Sequence, residues 1–219
     1  MILYAQTTEL NDLHSHRRYL NSEESERLKL FRSTEAAHDF LAARMLTRLF
    51  HARWLSCNPD EIRITAREHC KPELILPEGL RTRDLPCFSI SHSAGWIAIA
   101  IHRELPIGVD IELSTTCSRE LLDTMRQIYT PTEAALVATE HDDEGRRRRF
   151  LTLWRAKEAV MKATGLGFAL PPISFTVLDV DGKMNSTVDA SGRVWRLECV
   201  ALTSECEAAC AWEHRASSE

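Results

Sequence analysis

Helical and strand patterns alternate along this chain in an order that occurs twice. From residue 22 to residue 54, apolar side chains recur at helical spacing, and short strand patterns broken by prolines and glycines follow. The same order returns with a second helical region that begins near residue 118. This repeated order of a helical region followed by strands predicts an α+β fold of two similar halves that meet near residue 105. A chain of 219 residues, 44% of them hydrophobic, can bury the cores of two such units.

A hairpin is predicted between residues 87 and 102. Strand patterns end near residue 90 and resume with the β-branched run from 96 to 101. The polar residues 91–95 between them are expected to form the turn. Ser91 and His92 are therefore predicted at the tip of the hairpin.

The next strand pattern carries two carboxylates on one face. In the segment 105–112, aliphatic residues alternate with Gly108, Asp110 and Glu112. Because successive strand side chains point to opposite faces, both carboxylates project together while the aliphatic side chains enter the core. Neighbouring carboxylates repel each other, so this face suggests a bound cation.

A strong helical pattern runs from residue 150 to residue 164 and ends at glycines typical of a helix C-terminus. Trp154, Glu158 and Lys162 are spaced by four residues and share one face, with Trp154 interpreted as core packing beneath it. Glu158 could join the two strand carboxylates around magnesium, an ion that prefers oxygen ligands and shares its coordination with phosphates. Lys157 and Lys162 would then suit a pyrophosphate. The alternative is a surface ion pair between Glu158 and Lys162, a weak interaction.

Further strand patterns close the sequence. They cover residues 173–180, 194–201 and 208–213, and they predict a second antiparallel sheet. Before them, Glu133 follows a Thr-Pro-Thr run and is predicted to cap a helix rather than to bind a ligand. The run 141–149 contains four consecutive arginines. It is interpreted as a solvated loop or helix start, with a docking site for an acidic protein as the alternative.

Basic residues also occur in the first half. Arg44 and Arg48 lie four positions apart, so their side chains are predicted on one side of a helix as a candidate anion site. Lys71 lies in the segment broken by prolines.

Charge and composition limit the classes of partner. A net charge of -5 gives no overall reason to expect nucleic-acid binding. No apolar stretch approaches the roughly 20 residues that cross a bilayer, and the first residues lack the pattern of a secretory signal. The seven cysteines contain no CxxC pair and are interpreted as reduced thiols. We therefore expect a cytoplasmic protein that binds neither nucleic acid nor membrane.

Three segments resemble, in order and spacing, the signature motifs of the Sfp-type 4′-phosphopantetheinyl transferases. They are Phe88–Ser93, Gly108–Glu112 and Trp154–Lys162, and Lys71–Pro72 resembles the basic motif that precedes them. One such motif is weak, but four in the correct order are specific. The resemblance covers residues 20 to 180 approximately. Ser89 is a departure, because asparagine is common there, and Cys70 stands where many relatives have glycine.

The resemblance implies a pseudo-dimer of two α+β halves, each a small antiparallel sheet packed with helices, with the active site in the cleft between them. We divide the chain into an N-terminal half, 1–104, with coenzyme A-binding residues, and a C-terminal half, 105–219, with metal-binding and catalytic residues. The implied reaction moves the 4′-phosphopantetheine of coenzyme A to a serine of an acyl or peptidyl carrier protein and releases 3′,5′-ADP. A pseudo-dimer that holds both halves of its site implies a monomer. The pathway served, whether fatty acid, polyketide or peptide synthesis, stays open.

The resemblance also assigns roles. It places the magnesium ligands at Asp110, Glu112 and Glu158, and the catalytic residues at Glu158 and Lys162. Together with the basic residues noted above, the expected coenzyme A contacts are Arg44, Arg48, Lys71, Ser91, His92, Lys157 and Lys162.

Two other functions stay open from the sequence. A magnesium-dependent phosphohydrolase acting on a small nucleotide would turn over without an acceptor protein. A non-catalytic regulator that binds coenzyme A would tolerate the loss of Glu158 and Lys162.

Overall fold

The computed structural model of the chain describes residues 1–7, 10, 17–65, 73–76, 78–79, 81, 85–113, 124–203 and 206–215. Within these residues the α-helices are α1 (Ser22–Lys29), α2 (Thr34–Leu55), α3 (Met125–Ile128), α4 (Pro131–Ala138) and α5 (Asp143–Thr164). The first strands are β1 (Ile2–Gln6), β2 (Arg63–Thr65), β3 (Glu73–Ile75), β4 (Cys87–Ser93) and β5 (Trp96–His102). The others are β6 (Ile107–Leu113), β7 (Thr187–Ala190), β8 (Arg193–Ala201) and β9 (Cys206–Glu213).

Small antiparallel sheets form both parts of the fold, which confirms the predicted α+β class. One sheet has the order β1-β5-β4, a second pairs β2 with β3, and a third has the order β6-β9-β8-β7. Helix α2 contributes to the core beside the first sheet, and helix α5 contributes to a larger core with strands β7, β8 and β9. A third cluster joins β5 to β6 and β9, so the two main sheets share buried apolar contacts.

The first helical region is two helices rather than the single one predicted. Asn21 starts α1 with a capping box to Glu24. A second cap then interrupts the pattern, because the Ser33 hydroxyl accepts a hydrogen bond from the backbone N–H of Ala36 and starts α2. Helix α2 ends at Ser56, which has left-handed backbone angles.

The hairpin β4–β5 spans the predicted residues 87–102, but its first strand is longer than predicted and its turn is shorter. Ser93 pairs with Trp96, so only Ala94 and Gly95 form the turn, and both have positive φ angles, 45° and 79°. The prediction that Ser91 and His92 lie at the tip is therefore wrong. Both belong to strand β4, where Ser91 is buried beside β6.

Strand β6 lies in close backbone contact with helix α5. A Cβ atom at Gly108 would come within 2.0 Å of the carbonyl oxygen of Ala159 and 2.4 Å of the amide nitrogen of Ala163. Only a glycine allows this approach. The carboxylate-bearing strand is thus held directly against the helix that carries Glu158 and Lys162.

Helix α5 begins earlier than predicted, so the charged run forms its first turns. Asp142 caps the helix by accepting a hydrogen bond from the Gly145 N–H at 2.6 Å. Ion pairs to nearby carboxylates hold three of the four arginines: Arg146 to Asp143, Arg147 to Glu144 and Arg149 to Glu140. These contacts support the interpretation as a solvated helix start. The helix ends at Gly165, with a φ of 75°, as predicted.

The prediction of a strand at residues 173–180 is wrong. Residues Pro172–Ser174 form a 3₁₀ turn, and an isolated bridge joins Leu178 to Met184. Backbone groups of this segment bond to charged side chains instead of a neighbouring strand. Lys157 donates to the carbonyls of Pro172 and Phe175, and Glu133 accepts from the N–H of Val177.

The remaining predictions are resolved in part. The helical region predicted from residue 118 is seen as α3 and α4, while residues 114–123 lie outside the described part of the chain. The described cysteines are free thiols, and Cys70 and Cys117 lie outside it as well. None of the described helices is long and apolar enough to cross a membrane.

Candidate active site

A cluster of polar side chains lies where β4, β6 and α5 meet. Asp110 of β6 is 3% exposed, and its Oδ1 atom accepts hydrogen bonds from the Ser91 hydroxyl at 2.8 Å and from Lys162 Nζ at 2.7 Å. Lys162 also donates to the Ser91 oxygen at 3.1 Å. Burial alone would lower the pKa of Lys162, but the carboxylates of Asp110 and Glu158 outweigh it and raise that pKa. The lysine therefore carries its charge at neutral pH.

The surroundings of Glu158 raise its pKa strongly. Burial, followed by repulsion from the carboxylates of Asp110 and Glu112, raises its pKa from 4.5 to about 7, against the opposing charge of Lys162. A carboxyl group with a pKa near 7 can both accept and release a proton at neutral pH. Glu158 is thus suited to general acid or base chemistry, and its surroundings favour an added positive charge.

Glu112 is held from two sides. Its Oε2 atom accepts a hydrogen bond from the Ser93 hydroxyl at 2.7 Å. Its backbone carbonyl accepts one from Arg155 Nη1 at 3.4 Å. Arg155 lies on α5, is 3% exposed and also pairs with Glu207 of β9. Helix α5 therefore fixes the backbone of Glu112, and β4 contacts its side chain.

His92 lies at the edge of this cluster, with 46% of its side chain exposed. Its Nδ1 atom is 3.9 Å from Oδ2 of Asp39, a buried residue of α2 that also accepts from the Gly95 N–H at 3.4 Å. Loss of water around the inner part of the ring, and then the charges of Lys162 and Arg44, lower the pKa of His92. An anion bound beside His92 would raise this pKa, because it would stabilise the protonated imidazole.

Arg44 lies close enough to influence His92, but part of its charge is already matched. Its Nε atom is 3.1 Å from Oε1 of Glu24, and its guanidinium lies over the Phe40 ring, 4.9 Å from the centroid. Burial lowers the pKa of Arg44, and the Glu24 carboxylate opposes this effect. Of the predicted arginine pair, Arg44 is the member whose charge acts on the cluster, through its effect on His92.

Arg48 does not reach the cluster, which corrects its prediction as a coenzyme A contact. It is 1% exposed, and Nη2 lies 2.5 Å from Oε2 of Glu24. Nε donates to the Ile62 carbonyl at 3.0 Å, and Nη1 donates to the Arg44 carbonyl at 3.4 Å. The anion that Arg48 binds is therefore an internal carboxylate.

Lys157 points away from the cluster, which is a second correction. It is fully buried and lies 2.8 Å from Oε2 of Glu133, with further bonds to two backbone carbonyls described above. Because a helix turns by 100° per residue, Lys157 and its neighbour Glu158 face different parts of the molecule. Glu133 also caps α4, as predicted, and stays outside the site. Lys71 lies outside the described residues.

The carboxylates have suitable chemistry for magnesium. Asp110, Glu112 and Glu158 supply oxygen atoms, and the buried Oδ2 of Asp110 has no hydrogen-bond partner among the described residues. In the described part of the chain, no three His, Cys, Asp or Glu side chains yet have the geometry of a metal site. The Lys162 ammonium lies against Asp110 instead. The donor set fits the ion, and binding requires these carboxylates to converge.

Sequence reasoning did not identify three residues that contact the site. Ser93 bonds to Glu112, Asp39 faces His92, and Arg155 holds the Glu112 backbone. A signal for Ser93 was present, because serine recurs at 89, 91 and 93 with the period of a strand. Asp39 and Arg155 are charged residues in largely apolar helical patterns, which is itself a sign of a buried polar contact.

Two family models cover nearly the whole chain. The model of the 4′-phosphopantetheinyl transferase superfamily matches residues 106–211. The model described as the N-terminal part of 4′-phosphopantetheinyl transferase matches residues 7–104.

Curated relatives agree with these models. A putative 4′-phosphopantetheinyl transferase of Synechocystis is 32% identical over 68% of this chain and 58% of its own length. A phosphopantetheinyl transferase of Thraustochytrium is 32% identical over 74% of this chain and 62% of its own. For the 4′-phosphopantetheinyl transferase Sfp of Bacillus subtilis, 32% identity extends over 76% of this chain and 70% of the relative. The chain spans somewhat more than half the length of the first two relatives. The family models and these relatives together show that it belongs to the 4′-phosphopantetheinyl transferase superfamily.

Proposed function

We propose that this chain transfers 4′-phosphopantetheine from coenzyme A to a serine of an apo acyl or peptidyl carrier protein and releases 3′,5′-ADP. The observation that carries the proposal is the cluster in which Lys162 bonds to Asp110 at 2.7 Å, one turn of α5 from Glu158, whose pKa is raised to about 7 by burial and by the carboxylates of Asp110 and Glu112. Transfer of a phosphoryl group to a hydroxyl needs a group that takes a proton and a cation that stabilises the leaving phosphate. Family membership supports the same reaction.

Asp110, Glu112 and Glu158 would hold a magnesium ion. When bound, the ion would offset the negative charge of the pyrophosphate of coenzyme A. The unpartnered oxygen of Asp110 and the mutual repulsion at Glu158 support this role, since both are relieved by a positive charge.

Glu158 then acts as the general base. Its carboxylate accepts the proton of the carrier serine, directly or through a water molecule, as the serine oxygen bonds to the β-phosphorus of coenzyme A. The bond from that phosphorus to the bridging oxygen breaks, and the electron pair leaves with 3′,5′-ADP. No covalent enzyme intermediate is needed.

Lys162 and the residues of β4 bind the phosphates. Lys162 lies beside Ser91 and Asp110, from which its ammonium can donate to the leaving phosphate. Ser91 and His92 contribute a hydroxyl and an imidazole from the neighbouring strand. Arg44 extends the positive region toward α2, and Lys71 keeps its predicted role as a coenzyme A contact.

The test is the intact mass of a carrier protein. Purified protein, coenzyme A, magnesium and an apo carrier should add about 340 Da to the carrier, the mass of one phosphopantetheine. The gain should disappear with EDTA and with a carrier whose acceptor serine is replaced by alanine. A carrier of unchanged mass, with several carriers tried, would contradict the proposal.

Two controls separate the other functions. Release of 3′,5′-ADP without a carrier would indicate a phosphohydrolase. Coenzyme A binding without transfer, unchanged in Glu158→Gln and Lys162→Ala, would indicate a binding protein. We also propose a monomer and a cytoplasmic location, which sedimentation and cell fractionation would test.

A further inference from the structure

Serine hydroxyl groups connect the two main sheets. Ser89 Oγ accepts a hydrogen bond from the Val109 N–H at 3.1 Å, and Ser91 Oγ accepts one from the Ile111 N–H at 3.3 Å. These N–H groups lie on the outer edge of β6, because β9 pairs with its other edge. An edge strand normally offers such groups to the backbone of another strand. Here, side chains of β4 take the place of that backbone.

The same row of hydroxyls reaches the carboxylates of β6. Ser91 donates to Asp110 at 2.8 Å, and Ser93 donates to Glu112 at 2.7 Å. Ser91 already belongs to the candidate site through its contact with Lys162. Ser93 differs, because its hydroxyl contact in the described structure is to the Glu112 side chain alone. It acts on the site only through that carboxylate.

We propose that Ser93 is a positioning residue for Glu112. Its hydroxyl fixes the Oε2 atom, so that the carboxylate presents one orientation to a divalent cation shared with Asp110 and Glu158. A glutamate side chain has several rotatable bonds, and ordering it before the cation arrives removes an entropic cost of binding. The role toward the cation rests on the proposed function, whereas the contact between Ser93 and Glu112 does not.

The first experiment measures cation affinity rather than activity. Manganese, as a spectroscopic substitute for magnesium, is titrated into each protein with coenzyme A present and followed by electron paramagnetic resonance. Ser93→Ala should raise the dissociation constant for manganese about tenfold, as is usual for residues that orient metal ligands. Ser93→Thr keeps the hydroxyl and should restore most of the affinity.

Ser89→Ala is the matched control. It removes a hydroxyl from the same strand and the same contact region, but among the described residues this hydroxyl bonds to the Val109 N–H and to no carboxylate. We expect a lower melting temperature and an unchanged manganese affinity. Equal affinities for Ser93→Ala and the wild type would overturn the inference, as would equal losses in the two alanine variants.

A double-mutant cycle tests the contact without any metal. The melting temperatures of Ser93→Ala, Glu112→Ala and the double variant are compared in EDTA. If the two side chains interact, the double variant should be more stable than the sum of the single effects predicts. The expected difference in melting temperature is roughly 2–4 °C in a chain of this size. Additive effects would overturn the inference.

The two experiments also separate this inference from the proposed function. If the wild-type protein binds no manganese with coenzyme A, the proposed cation role fails, and the role of Ser93 toward the cation fails with it. If the wild type binds manganese and Ser93→Ala binds it equally well, the inference alone fails.

Discussion

Lys157 and Glu158 are neighbours in α5, yet their charges have different surroundings. Lys157 is fully buried and matched by Glu133 and two backbone carbonyls. Glu158 faces two further carboxylates, with Lys162 as the opposing charge, and its pKa rises to about 7. One residue of the pair has a complete set of partners, and the other has an excess of like charge.

This contrast separates structural charges from functional charges in this fold. A buried ion pair with all its hydrogen bonds made is stable only as a unit, so its removal should affect folding. A cluster with unbalanced charge lowers stability unless a bound ligand neutralises it. Substitution of one of its charged side chains should therefore affect binding and catalysis. Variants at the two positions should therefore fail in different assays.

Glu158→Gln should have the largest effect. Loss of the proposed base should reduce the rate of transfer by about 10²–10⁴-fold, because the amide cannot accept the serine proton. The free energy of unfolding should not fall, since the substitution removes a repelled carboxylate. The measurements are the rate of carrier modification and urea unfolding in the same buffer. Near-normal transfer would remove Glu158 from its role.

Lys157→Met should show the reverse pattern. It leaves the Glu133 carboxylate buried without its cation and should lower the free energy of unfolding by about 3–5 kcal/mol. The protein that stays folded should bind coenzyme A normally. Glu133→Gln combined with Lys157→Met should recover part of the stability, as measured by urea unfolding. An unstable Glu158→Gln beside a stable Lys157→Met would break the comparison.

The stability contributed by Glu158 should depend on pH. Because its pKa rises from 4.5 to about 7 on folding, the folded protein holds a proton that the unfolded chain releases. This contribution is present below pH 4.5 and is lost as pH rises toward 7. The loss amounts to at most about 3 kcal/mol, less where solvent screens the group. Metal-free unfolding at pH 5 and pH 8 should show it in the wild type and not in Glu158→Gln; identical pH dependence would contradict it.

Arg44→Ala tests the same comparison in the N-terminal half, with a smaller effect. It should raise the apparent Michaelis constant for coenzyme A several-fold, about 1 kcal/mol, with little change in kcat. Arg48→Met should instead lower the melting temperature, because it removes the closer partner of Glu24. Steady-state kinetics and thermal unfolding of both variants distinguish the roles. An unchanged Michaelis constant for Arg44→Ala would exclude it from the coenzyme A site.

The sequence predicted those features of the site that local pattern determines. Asp110 and Glu112 share a face because strand period dictates it, and Glu158 and Lys162 share a face because helical period dictates it. Nothing in local spacing joins β6 to α5, so the meeting of these two faces was a hypothesis from magnesium chemistry, which the family resemblance then supported. The α+β class likewise followed from the order of patterns.

Residues with tertiary partners were predicted less well. Arg48 and Lys157 were predicted to contact coenzyme A because they are basic, but they form ion pairs with Glu24 and Glu133. Neither pairing has a short-range signal, because the partners lie 24 positions apart in both cases. The same buried pair takes backbone groups of the segment predicted as a strand at 173–180: the Phe175 carbonyl accepts from Lys157, and the Val177 N–H donates to Glu133.

Gly108 determines how closely strand β6 and helix α5 approach each other. Where it meets Ala159 and Ala163, the strand and the helix touch through main-chain atoms, which have no rotamers to exchange. The spacing between Asp110 and the helical residues Glu158 and Lys162 is therefore a property of two rigid elements rather than of side-chain packing. A methyl group at this position would push the two backbones apart at their point of contact, and so would separate Asp110 from Glu158 and Lys162.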